Sequence, residues 1–334
     1  MRLLLATLVA LFPATASAAD ITVEKGADTV AFKIGAETVA KYQFAGTVQE
    51  EKSEGRKPLA KPILWPVSAP NGTLVTRAWP MDRSGKEKTD HFHQKSVWFC
   101  HGDVVPEGVD LKGKHAVDFW SETAGHGRIV CTELTVEKNG FTSKNEWRTA
   151  DGVKILDEIR RVALVEVAGG RLFVFECKLI ANDYNITFGD TKEGSFGVRT
   201  HDAWRLELPT GGTVASSDGS TASAPARENL PMWGKFADWH DYSGTVNGKA
   251  AGIAIFDHPK NPSRAAWHTR AYGLMAANPF GRTKSGFPAV KGSTDLMKLE
   301  KGKTMTFTYA AFAHDGDAKA GKVAEAYEAF KKRD

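Results

Sequence analysis

Cysteine is scarce and unpatterned in this chain. Of Cys100, Cys131 and Cys177, none sits in a CxxC pair and one must stay unpaired, which argues against both a disulfide framework and a structural zinc site. Long apolar runs are missing too: beyond the N-terminus nothing approaches the ~18 uninterrupted apolar residues of a membrane helix, so no membrane span is expected. Nor is one sign of charge in excess, with 44 Lys and Arg against 40 Asp and Glu. No basic stripe or cluster stands out, and the composition therefore argues against nucleic acid as a partner. The short KKR at 331–333 reads as a solvated helix end. No internal period suggests a propeller or solenoid.

What is present begins with MRLLLATLVALFPATASA, an early cation, a short apolar run and small residues before position 18. Residues 1–18 therefore read as a secretory signal peptide, and the remainder as a periplasmic or secreted protein. Residues 19–334 read as a single domain long enough to bury a large core without cross-links. Most of it consists of short alternating segments separated by turn residues. Asn139-Gly140, Asp151-Gly152, Gly169-Gly170 and Asn247-Gly248 have the composition of two-residue hairpin turns. Phe173, Phe175, Cys177 and Leu179 alternate along one strand face, which makes Cys177 a small buried hydrophobe. One helix is expected, from Ala318 to Lys332, where Ala320, Val323, Tyr327 and Phe330 recur at helical spacing. The fold class expected is all-β, a large sandwich of two antiparallel sheets with a C-terminal helix. Residues 52–72, rich in Pro, Lys and Gly, read as a long loop or edge crossing.

Three polar clusters carry chemistry. In DHFHQKSVWFCHGDV, residues 90–104, an extended backbone would put His91 and His93 on one face, with His101 at the far end of the strand. Two such imidazoles could share a divalent metal ion if a third ligand came from elsewhere; otherwise they are hydrogen-bonding strand histidines. In FGDTKEGSFGVRTHDAW, residues 188–204, Glu193 and His201 read as acid–base groups and Lys192 and Arg199 as anion or hydroxyl binders, against the plainer reading of a charged loop entering a strand. The third cluster runs through residues 233–244 and 254–281 with His258, His268, Arg270, Tyr272 and Asn278. Pro259, Pro262 and Pro279 suggest that its segments leave the sheet and form a rim with Trp233, Trp239 and Trp267. Such a rim suits sugars, whose C–H faces stack on rings while their hydroxyls take directional hydrogen bonds. His115, His126 and His314 read as surface histidines, and His240 stays undecided.

The blocks TRAWPMDRSGKEKTDHFHQKSVWFCHGDV, FGDTKEGSFGVRTHDAW and GIAIFDHPKNPSRAAWHTRAYGLMAANPFG resemble the PmoA-like family, secreted or lipid-anchored bacterial proteins labelled "methane oxygenase PmoA". That resemblance implies a β-sandwich of the galactose-mutarotase kind, histidine-rich segments converging at one site, and a place in carbohydrate metabolism. It does not imply methane oxidation, whose membrane subunit is built of helices that this chain lacks. Phe92 and Gln94 replace a Pro and a His of the family's pattern, and only His91 and His93 carry over from that motif.

The function expected is an exported carbohydrate-active protein, an isomerase, epimerase or lyase. His93 and His268 would donate and accept the proton, and Glu193 would serve as second base or orienter. His101, Lys192, Arg199, His201, Trp233, His258, Arg270, Tyr272 and Asn278 are expected to bind the substrate, a small molecule and most simply a carbohydrate. The alternative is a sugar-binding or cell-envelope module without catalysis.

Overall fold

Alternation of inward and outward side chains organises the chain between Arg128 and Ile180 into four consecutive antiparallel strands, Arg128–Val136, Gly140–Arg148, Lys154–Val167 and Gly170–Ile180. Gly152 and Gly169 in the turns take φ of 92° and 96°, a region that side chains disfavour. Phe173, Phe175, Cys177 and Leu179 are all buried on one face of the last strand. This computed structural model describes residues 20–51, 54–83, 87–228 and 230–333. The expected signal peptide lies outside the described residues.

The meander forms half of a nine-stranded sheet. From its far edge the order is Thr221–Ser223, Thr213–Ser216, Trp239–Val246, Lys249–Asp257 and Thr304–Asp315, then the four strands in reverse. An eight-stranded sheet runs Ile21–Lys25, Thr29–Ile34, Glu37–Gln43, Ile63–Val67, Val97–His101, Gly194–Arg199, Leu274–Asn278 and Ala266–Trp267. All pairings in both are antiparallel. Rings join the sheets: Phe32 meets Phe173 at 5.7 Å, Phe196 meets Phe175 at 5.0 Å, and Phe99 meets Tyr309 at 6.2 Å between centroids. The protein is thus an all-β two-sheet antiparallel sandwich. Within the core, Glu158 and Arg160 form a fully buried ion pair at 2.6 Å, and Trp147 and Tyr42 complete its hydrogen bonding.

The C-terminal helix, Val323–Lys331, packs on the outer face of the nine-stranded sheet, with Tyr327 and Phe330 5.5 and 5.7 Å from Phe256. It is shorter than the spacing predicts. Lys322 adopts left-handed φ of 55°, and Asp317 folds the preceding residues into a turn by accepting from the Lys319 and Ala320 amides.

Three expectations are corrected. Residues 52–72 are not one loop: Arg56–Pro58 is a short strand, and Ile63–Val67 is an interior strand whose register shifts near Pro66, which lacks a ladder N–H. The 254–281 segment does not leave the sheets as a whole. Lys249–Asp257 is interior to one sheet and Leu274–Asn278 to the other, and Pro259 and Pro262 mark the crossing between them. His314 is not a surface residue; it is fully buried with Nε2 2.7 Å from Asp241 Oδ1, a partner 73 residues away. Burial disfavours the charged ring, but the adjacent Asp241 carboxylate outweighs it and raises the His314 pKa.

Candidate functional site

The segment 87–95 is an irregular loop fastened from beneath. Buried Arg77 donates to the carbonyl of Lys88 (3.3 Å), to Asp90 Oδ1 (2.7 Å) and to the carbonyls of His91 (3.0 Å) and Gln94 (3.2 Å). Buried Arg199 donates to the same Asp90 oxygen at 2.8 Å and to Gln94 Oε1 at 2.6 Å. Burial opposes ionisation of Asp90, yet the adjoining His91 ring, with Nδ1 3.4 Å away, and the two guanidiniums hold its carboxyl far below the ordinary range. Phe92 and Gln94 turn inward while His91 and His93 stay half-exposed. The two imidazoles share a side, although His91 sits at φ 43° in a turn instead of a strand. His91 stacks on Tyr272 at 4.5 Å, and its ring lies 5.9 Å from that of His93.

A second wall comes from the edge of the eight-stranded sheet. His268 pairs with Ala276 through both backbone hydrogen bonds, and Ala276 lies opposite Gly197, itself opposite Trp98. Phe196 faces the core, so Gly197 and the residues level with it face outward. A Cβ at Gly197 would lie 2.5 Å from the Trp98 ring, which is why the row is flat there. Arg270, two residues past His268 and bridged to Leu274, continues the same face. The loop before Gly194–Arg199 forms the remaining wall. Asn278 donates to the Thr191 carbonyl at 2.8 Å, and Lys192 pairs with Glu193 at 3.0 Å.

Together these walls enclose a cavity of ≈ 380 Å³ lined by Lys88, His91, His93, Gln94, Ser121, Lys192, Glu193, Glu207, Glu228, His268, Arg270 and Tyr272. His268 is 1% exposed. Its Nδ1 lies 3.0 Å from the Lys192 carbonyl, which can only accept, so that nitrogen carries the proton and Nε2 presents a lone pair. No hydrogen-bond partner meets Nε2 among the described residues. Burial, aided by Arg270 and Lys192, pushes the His268 pKa down to about 3; burial and the nearby Lys61 do the same for His93, also to about 3. Both rings are neutral in the neutral pH range.

Beneath His93 lies a group that sequence reasoning misses. Lys61 and Lys95, both fully buried, converge on Glu122 Oε1 at 2.7 and 2.5 Å, and Lys57 reaches Oε2 at 4.0 Å. One carboxylate serves two buried ammonium groups. Burial pushes Lys95 down to about 7, while Lys61 and Lys95 overcome the burial of Glu122 and hold its carboxyl well below the usual range. Glu122 lies 61 and 27 residues from its partners, and no local pattern announces it.

Other expected site residues lie elsewhere. Arg199 is behind the cavity, with its guanidinium 4.7 Å from the Tyr272 ring. His101 is a core residue whose Nε2 lies 2.9 Å from the Gly189 carbonyl and whose ring packs on Phe280. His201 Nδ1 accepts from the Ala203 amide at the start of a short helical turn. Asn278 secures the loop, and Trp233 stands beside Arg270 with 5.8 Å between guanidinium and ring. His258 packs on Phe330 at 5.1 Å and lines a different concavity with Arg161 and Glu176. His240 is buried, stacked on Trp267 at 4.2 Å with Nδ1 2.7 Å from Thr269 Oγ1. Among the described residues, no group of three His, Cys, Asp or Glu side chains is arranged to hold a metal ion. No helix among them is long and apolar enough to cross a membrane.

A "Family of unknown function (DUF6807)" matches residues 29–328. The chain belongs to DUF6807. This corrects the PmoA-like resemblance: the family that spans the sandwich is DUF6807, and the motif blocks at 90–104 and 254–281 fall within that match. No curated protein matches the chain. Among solved structures, a galactose 1-epimerase from Lactobacillus acidophilus NCFM is 8% identical, with 90% of this DUF6807 chain and 100% of that one covered at TM-score 0.37. A heparan sulfate lyase from Pedobacter heparinus is 9% identical at TM-score 0.35, with 89% of this chain but 37% of that one covered. The chain thus spans little more than a third of the lyase. Likeness of this degree carries no inference about the reaction.

Proposed function

We propose that this DUF6807 protein is an exported carbohydrate-active enzyme that moves a proton at a sugar carbon, as an isomerase, epimerase or lyase does. The observation that carries the reading is His268: a buried, neutral imidazole with no partner on Nε2, in a residue that lines a cavity shared with His93 and Glu193. A neutral ring with a bound Nδ1 proton accepts a proton at Nε2, and His93 can polarise a substrate oxygen by donating its own N–H. Glu193 is the second proton-transfer group. The His91–Tyr272 stack supplies an apolar surface for sugar C–H groups. Burial keeps the His93 ring unprotonated, and the nearby Lys61 and Lys95 add to that against the opposing Glu122 carboxylate.

The test is turnover of a panel of aldoses, uronates and glycosides by the wild-type chain and by His268→Ala, His93→Ala and Glu193→Gln. Conversion by the wild type with at least a hundredfold loss in His268→Ala supports the reading. Tight binding of a sugar recovered unaltered would replace it with the non-catalytic module.

A further inference from the structure

The cavity's cations are not equivalent. Lys88 is paired with Asp90 at 3.1 Å and Glu207 at 3.7 Å, and Lys192 with Glu193 at 3.0 Å. Arg270 forms no ion pair and donates no side-chain hydrogen bond among the described residues, and its Nε is buried without an acceptor. Its contact is the Trp233 ring at 5.8 Å, which limits where the planar fork can point. A half-buried guanidinium with five donors and no acceptor is poised for an anionic ligand, and its geometry matches a carboxylate through two parallel hydrogen bonds. This fork stands two residues from His268 on one extended segment, so the base and the anion holder share a face.

We propose that the substrate of this cavity is a uronate, a sugar whose carboxylate is attached to the carbon that loses its proton, with the carboxylate held by Arg270 and the proton taken by His268; this rests on the acid–base reading above. The C5–H bond breaks, its proton passes to His268 Nε2, and the electron pair enters the C5–C6 bond. The resulting enediolate places its added negative charge on the carboxylate oxygens, where Arg270 stabilises it. Protonation of C5 from the opposite side by Glu193 in its acid form inverts that carbon, and His268 then gives its proton to solvent. Alternatively, the C4 oxygen substituent takes the proton held on His268 and leaves as its alcohol, forming a C4–C5 double bond. Both routes are redox-neutral and need no co-reactant. A sugar phosphate would satisfy the guanidinium but would not acidify a C–H bond, and a neutral sugar would leave the fork without a carboxylate to pair with.

The experiment is calorimetric titration of the full chain with D-galacturonate and D-glucuronate, the parent D-galactose and D-glucose, and D-glucose 6-phosphate, repeated with Arg270→Gln and Arg270→Lys. The uronates are expected to bind at least tenfold more tightly than their parents. That advantage should vanish in Arg270→Gln, survive in part in Arg270→Lys, and shrink as salt rises. Equal binding of uronates and parents by the wild type would overturn the uronate proposal while leaving a sugar enzyme standing. Tighter binding of the phosphate would overturn it in favour of a phosphosugar. If none of the five binds, both readings fail.

Discussion

Asp90 is the shared counter-ion of two guanidiniums that have no exposed side-chain surface, Arg77 and Arg199, while its own side chain is 19% exposed. Asp90→Asn keeps the shape of the residue and removes the charge, leaving two buried cations without their shared carboxylate. Breaking a buried pair by removing one partner costs about 3–5 kcal/mol. Here the surviving bonds from Arg77 to the backbone of residues 88, 91 and 94, and from Arg199 to Gln94, retain part of the satisfaction. The expected loss is therefore about 3 kcal/mol, at the low end of that range. Urea unfolding at neutral pH measures it, with Asp110→Asn as control, since Asp110 and its partner Lys112 are 74% and 72% exposed and solvent screens such a pair. The same variant should loosen the His91 and His93 loop, seen as faster amide exchange at residues 91–95. A loss below about 0.5 kcal/mol, within the range of ordinary surface substitutions, would refute the claim that this carboxylate holds the loop.

Two further outcomes follow from burial. His240 and His268 are held neutral, both pushed down to about 3, whereas an unfolded histidine titrates near 6.5. Unfolding between those values takes up protons, so their contribution to stability is complete above about pH 6.5 and falls as pH drops toward 3, by about 1.4 kcal/mol per pH unit for each ring. His240→Gln should flatten the slope of urea stability against pH over that window; an unchanged slope would contradict the buried neutral ring. Phe330→Ala empties a fully buried site against Phe256 and His258 and should cost about 3 kcal/mol in the same assay while leaving sugar binding intact. A loss under 1 kcal/mol would mean that the helix is not anchored there.

The strand meander was legible because its signals are local: Asn-Gly, Asp-Gly and Gly-Gly turns, and period-two alternation through Phe173 to Leu179. The crossing near Pro259 and Pro262 was legible only as an interruption, since nothing local says that the chain passes from one sheet to the other. The candidate site was legible as residue types. Its assembly depends on the order of strands: Val97–His101, Gly194–Arg199 and Leu274–Asn278 are neighbours in the sheet though far apart along the chain. Arg199 looked like a substrate binder because an arginine in a polar motif gives no sign of whether it faces the cavity or supports its floor. His314 misled for a related reason. Its flanking polar residues suggest a surface, and its partner Asp241 is remote. Lys61, Lys95 and Glu122 carry no pattern at all, because buried charges are identified by their partners in space.

The central claim is that His268 Nε2 removes a proton from a sugar carbon. Proton NMR of candidate sugars incubated with the protein in deuterium oxide tests it directly, since abstraction followed by return exchanges the C–H for C–D. The account predicts loss of a single C–H signal with the wild-type chain and none with His268→Ala. Retention of every C–H signal across the panel, or equal exchange in His268→Ala, would contradict it.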